Sequence, residues 1–128
     1  MTDRAQNLVL SMKWGTLYPA DYVNRLFKAT CTNSKRPVHF VCFTDNSAGL
    51  DPNIDARPIP DVGVPMEKHY SGAWPKMTLF GRHYNDLSGR ALFIDLDTMI
   101  LDDIDPFYDV PGGIVMLNTG QNWVDHVT

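Results

Sequence analysis

The chain has 128 residues, a net charge of −4, 44% hydrophobic and 20% charged residues, enough for one modest domain with its own core and unlike a disordered chain. No run of Lys or Arg stands out, which argues against broad nucleic-acid binding or docking on an anionic membrane, since both need basic patches. No apolar stretch approaches the ~20 residues of a membrane span, and the opening MTDRAQNLVLSM lacks the long apolar core of a secretory signal. Cys31 and Cys42 have no metal-like spacing and are expected to be free thiols of a reducing compartment, with the cytoplasm as the default location.

In chain order, Asn7 to Met12 predicts a short first strand, and Lys13-Trp14-Gly15-Thr16 a loop. Tyr18-Pro19-Ala20-Asp21 predicts a helix start with proline in the first turn. Tyr22, Val23, Leu26, Phe27 and Thr30 then share one helical face, with Asn24, Arg25 and Lys28 opposite, and the helix should end near Thr32-Asn33. Strand, loop, helix is how an α/β nucleotide-binding domain begins, and the loop at the strand's carboxyl end is where a ligand sits. Val38 to Thr44 predicts a second strand, rich in β-branched and aromatic residues, stopped by the turn formers Asp45-Asn46-Ser47. Asp45 is a turn former on spacing alone, and an acceptor for a base or ribose only on other grounds. The proline-rich Ala56-Arg57-Pro58-Ile59-Pro60 predicts a short third strand at an edge, because each proline removes a ladder donor. Ala73 to Tyr84 predicts a helix packed through Trp74, Met77 and Phe80, on which Lys76 is either a solvated lysine or a phosphate partner.

The stretch Arg90 to Asp109 organises the rest. Ala91-Leu92-Phe93-Ile94 reads as a strand buried on both faces, Asp95 and Asp97 follow it, and a second apolar run, Thr98-Met99-Ile100-Leu101, comes directly after. A buried carboxylate costs several kcal/mol unless something positive or hydrogen-bonding meets it. In a strand, residues i and i+2 share a face, so Asp95 and Asp97 can aim at one point. Hard cations such as Mg²⁺ or Mn²⁺ favour oxygen ligands, and a site with one or two carboxylates takes its other oxygens from phosphates and water. The expectation is a metal–phosphate site at the end of a central strand; the plainer alternative is that these acids cap a turn or the helix start near Asp102-Asp103. Beyond them, Asp105 to Tyr108 predicts a one-turn helix, and Ile114 to Leu117 a last strand.

The sequence has no GxGxxG after the first strand, no P-loop, no G-x-S-x-G and no histidine pair at metal spacing. His39, His69, His83 and His126 read as structural or surface residues. Phosphatases of the haloacid-dehalogenase type also place Asp-x-Asp after an apolar strand, but here Thr98 comes one position early and only a short tail remains for their other motifs. That reading ranks last.

Four pieces, Leu8 to Thr16, Phe40 to Asp45, Gly72-Ala73-Trp74-Pro75-Lys76, and Ala91 to Asp97, stand in the order used by a bacterial group of glycosyltransferases. The chain resembles the N-terminal half of their GT-A, nucleotide-diphosphate-sugar transferase fold over roughly residues 7 to 115. The resemblance implies an α/β fold with a Rossmann-like mixed, mostly parallel sheet flanked by helices, here a single nucleotide-sugar-binding domain over residues 1–128. It implies that Asp95 and Asp97 hold Mn²⁺ or Mg²⁺ against the diphosphate, with Asp95 also at the nucleotide sugar. It puts Lys13, Trp14 and Gly15 against the nucleoside, Asp45 on the base or ribose, and Lys76 on the diphosphate. Members normally continue for about as many residues again, with acceptor-binding elements and, in many, a further metal ligand and a catalytic base or nucleophile. The chain is therefore expected to be truncated, its catalytic group and acceptor unknown, and sugar transfer to need the missing half. Absent sheet partners should expose apolar surface and favour a homodimer. The alternative is a non-catalytic remnant or interaction module of the same fold.

Overall fold

The computed structural model describes residues 6–59, 87 and 89–113. The expected helix at 73–84, Lys76, the strand at 114–117, and His69, His83 and His126 lie outside the described residues. The described part is an α/β arrangement: a four-stranded parallel sheet with one α-helix and a 3-10 turn. Its strands are β1 (Asn7–Lys13), β2 (Val38–Thr44), β3 (Asp55–Arg57) and β4 (Ala91–Phe93), in the spatial order β3-β2-β1-β4.

The helix α1 (Ala20–Thr32) links β1 to β2. Pro19 sits just outside it in an extended conformation and offers its carbonyl to Tyr22 N–H at 3.1 Å. Proline is therefore the cap residue, one place earlier than its expected position within the first turn, and Asp21 supplies negative charge where the helix dipole favours it. Val23, Leu26 and Thr30 are buried, with Tyr22 and Phe27 partly buried against the same cluster. The helix closes at Asn33, whose backbone N–H and side-chain amide both donate to Ala29 O.

Two apolar clusters lie on either side of the sheet. Val9, Phe40, Cys42, Ile94 and Leu96 pack with α1, while Leu8, Met12, Val41 and Phe43 form the opposite cluster. The alternation follows from the pleat: neighbours along β1 and β2 face opposite ways, so strands buried on both sides read as nearly continuous apolar runs. Phe27 meets Phe40 edge-on, ring centroids 5.4 Å apart, a geometry worth about 0.5–1.5 kcal/mol beyond the area it buries.

The burial expected for β4 belongs instead to β1 and β2. Ala91 is exposed and Leu92 and Phe93 are only partly buried, because β4 pairs with β1 alone among the described strands. It is short and lies at the end of the described order. The apolar run after it is not buried either: Met99 is 79% and Leu101 84% exposed. β3 begins and ends earlier than expected, since Pro58 has no N–H to continue the ladder. It does lie at the end of the described order, and Asp55 on it accepts a two-pronged bond from Arg57 and meets His39 Nε2 at 2.8 Å, which makes His39 a structural residue. No helix among the described residues is long and apolar enough to cross a membrane, and Cys31 and Cys42 are free thiols, exposed and buried respectively.

Candidate functional site

All described strands run in the same direction, so their carboxyl ends form one edge. The chain builds outward from β1 through β2 to β3, then returns to place β4 on the other flank of β1. That reversal puts the carboxyl ends of β1 and β4 at the position where open α/β sheets bind ligands. Lys13, Trp14 and Gly15 end β1, Asp45 follows β2, and Asp95 and Asp97 follow β4. The sequence candidates other than Lys76 therefore meet on one edge of the sheet.

Asp95 and Asp97 do not lie in a strand. Pairing stops with the Ile94 N–H donating to Leu10 O, and Asp95 O then accepts from Thr98 N–H at 3.1 Å, closing a turn over Asp95–Thr98. Both acids are exposed, while Leu96 between them is 8% exposed and joins the α1-side core. The turn, and not strand alternation, sets where the two acids face: burying Leu96 and Ile94 holds the segment down and leaves both neighbouring carboxylates exposed. Being exposed, they need no buried counter-ion, so the desolvation argument for a metal lapses and only their placement and chemistry speak for one. The acids further on bond to nearby backbone or to the start of β1. Asp103 Oδ1 accepts from Asp105 N–H at 2.9 Å ahead of the 3-10 turn Asp105–Asp109.

At the β1 end, Gly15 has φ 66°, the left-handed region that glycine enters without a Cβ penalty. Its N–H donates to Asp45 Oδ2 at 2.9 Å, tying the loops after β1 and β2 together. The turn after β2 is shaped by Thr44 and Asn46, whose side chains bond the backbone at Asn46 and Ala48, so Asp45 positions the neighbouring loop. Trp14 is half-buried against the cluster opposite α1; part of its ring is committed to packing. Lys13 is only 8% exposed, and by alternation falls on the α1 side with Val9 and Ser11.

Tyr18 was not among the sequence candidates. Its hydroxyl lies 3.4 Å from Asp97 Oδ2, a long contact for an O–H donor to a carboxylate, and its ring leans on Tyr22 with centroids 5.0 Å apart. The negative charge of Asp97 raises the Tyr18 phenol above its ordinary value, and Asp95 adds to the effect, so at neutral pH the phenol keeps its proton as a donor. Its signal in the sequence was its place in the loop after β1, masked by its equally good fit to a helix start.

Oxygen-only donors of this kind suit Mg²⁺ or Mn²⁺ and not a softer metal. No group of three or more His, Cys, Asp or Glu able to hold a metal occurs among the described residues. Any ion held by Asp95 and Asp97 would have to take its remaining oxygens from phosphate and water, the usual arrangement for Mg²⁺. No protein-family model, curated protein or solved structure matches the chain.

Proposed function

We propose that the chain is a nucleotide-diphosphate-sugar-binding domain of GT-A-like, glycosyltransferase type. Asp95 and Asp97 would hold Mn²⁺ or Mg²⁺ against the diphosphate, and the loops after β1 and β2 would flank the nucleoside. The observation that carries this reading is the position of the exposed Asp95 and Asp97, on one tight turn at the carboxyl edge, beside the strand where the sheet order reverses. When bound, the metal supplies Lewis-acid stabilisation of the departing nucleoside diphosphate. The chain's own residues orient: Asp45 fixes the Gly15 turn, and Tyr18 stands beside Asp97.

Calorimetric titration with uridine and guanosine diphosphates, with Mn²⁺ and with chelator, tests the reading. Binding that needs the metal and disappears in Asp95→Ala/Asp97→Ala supports it; a folded sample that binds neither nucleotide under either condition refutes it. A second reading, an interaction module that keeps the fold without the chemistry, draws on Leu17, Met99 and Leu101, which are 81%, 79% and 84% exposed on segments adjoining Tyr18 and Asp97. It predicts a defined oligomer and no metal-dependent nucleotide binding.

A further inference from the structure

Lys13 ends a strand in which almost every residue is buried, and it is buried with them at 8% exposure. Lysines are rarely so enclosed unless something pairs with them. Yet among the described residues no carboxylate lies within ion-pair distance of its ammonium and no hydrogen bond satisfies it. This holds in a chain with more acids than bases. Asp45, at the end of the neighbouring strand, uses Oδ2 on Gly15 N–H. Among the described residues, the one fully buried side-chain atom without a hydrogen-bond partner is Asn7 Oδ1, at the far end of the sheet. The Lys13 ammonium is therefore not sealed in: its stem is packed and its head keeps access to solvent at the carboxyl edge.

We propose that Lys13 is the anion-binding cation of this edge, pairing with a phosphate oxygen of the ligand's diphosphate, a different role from contact with the nucleoside. The inference rests on the reading of the edge as a nucleoside-diphosphate site and deepens it. Asp95 and Asp97 alone repel a diphosphate. A divalent ion offsets their charge but leaves negative charge on the phosphates, which calls for a protein cation on the other side. Lys13 stands at the end of β1, next to Thr44 in the register with β2, and β1 is the strand that β4 flanks. A packed stem costs such an ammonium little further side-chain entropy when it binds, and partial removal from water strengthens its attraction to an anion.

The probe is inorganic pyrophosphate, titrated into the whole chain with and without Mn²⁺. Lys13→Met, which keeps the apolar stem, should weaken pyrophosphate binding about ten- to a hundredfold, the range of one charge-assisted hydrogen bond, and Lys13→Arg should retain most of it. Should Lys13→Met not fold, the wild-type protein still decides: pyrophosphate should protect Lys13 from acetylation by acetic anhydride, read by peptide mass mapping. Equal affinity in Lys13→Met, no protection in the wild type, or no pyrophosphate binding at all overturns the proposal. The two readings fail separately. Metal-dependent nucleotide binding unaffected by Lys13→Met removes the role of Lys13 and leaves the site. Pyrophosphate binding through Lys13 without any nucleotide binding leaves the anion site and removes the nucleotide.

Discussion

The two ends of the parallel sheet use their polar residues in opposite ways. At the amino end, Asn7 is fully buried and its side-chain amide donates to Ser34 Oγ at 2.7 Å and Asp105 Oδ1 at 2.6 Å. Asp105 also accepts from the Lys35 amide, and Tyr108 donates its hydroxyl to Leu8 O at 2.8 Å. Apart from Asn7 Oδ1, which has no hydrogen-bond partner, the polar groups there bond to one another and fasten the 3-10 turn to the start of β1. At the carboxyl end, Asp45 makes one bond to a backbone amide, Asp97 has only the long contact with Tyr18, and Lys13 has no ion pair among the described residues. The same types of side chain close the fold at one end and, under the proposed function, serve a ligand at the other. Net stability comes from polar groups that are both buried and satisfied, whereas a binding site must keep some of its groups uncommitted.

The sharpest way to break this contrast is to truncate one polar residue at each end. Asp97→Ala should weaken metal-dependent nucleotide binding by at least about a hundredfold, since even residues that only support metal ligands are worth roughly 10–100-fold. It should change folding stability by less than about 0.5 kcal/mol, as expected for an exposed side chain. Asn7→Ala should do the reverse, lowering stability by about 2–3 kcal/mol through loss of buried hydrogen bonds that include one to a carboxylate. Urea midpoints and nucleotide titrations on both variants decide it. Equal loss of stability in the two would erase the division of labour.

Which parts of this arrangement were legible in the sequence follows from the range of the interactions. β2 was readable to the residue, because the Asp45-Asn46-Ser47 cluster stops a run rich in β-branched and aromatic residues. α1 was readable to within a residue or two from its apolar spacing and from Pro19 before it. The place of β4 in the sheet was not, since an apolar run reports that a strand is plausible and says nothing of which strands flank it. The same blindness made Met99 and Leu101 look buried. The contact of Tyr18 with Asp97 spans 79 residues and that of Asn7 with Asp105 spans 98; neither leaves a local pattern to read. Asp95 and Asp97 were legible as candidates because they follow an apolar run, whereas Asp45 and Lys13 became candidates only through the resemblance to glycosyltransferases.

A smaller effect sharpens the carboxyl side alone. Gly15→Ala places a Cβ on a residue at φ 66°, which costs about 1–2 kcal/mol for a non-glycine in the left-handed region. Because the Gly15 amide is what Asp45 holds, the strain should appear as a loosened loop and weaker nucleotide binding. Asp45→Ala should weaken binding in the same direction with a smaller loss of stability. Hydrogen exchange at the Gly15 amide, compared between wild type and Asp45→Ala, reads the bond directly; unchanged protection would mean that Asp45 does not position the loop.

The smallest expected effect tests the amino end by pH. Burial pushes the Asp105 carboxyl up, but the hydrogen bonds from Asn7, the Lys35 amide and Ser34 outweigh it and leave the carboxyl below its ordinary value of 3.8. Because the folded chain binds that proton less readily than the unfolded one, the stability these bonds supply is fully present above about pH 5 and is lost as pH falls through the folded value. Asp105→Asn should be less stable than wild type at neutral pH yet lose less on acidification, so the two stability curves should converge between roughly pH 5 and pH 2. Hydrogen bonding from Arg57 and from His39 lowers Asp55 against the opposing effect of burial. It contributes with the same sign, so some acid sensitivity should persist in Asp105→Asn. Parallel curves over that range would mean that the bonds to Asp105 hold its geometry without favouring its charge, and the amino end would then owe its stability to Asn7 and Tyr108 alone.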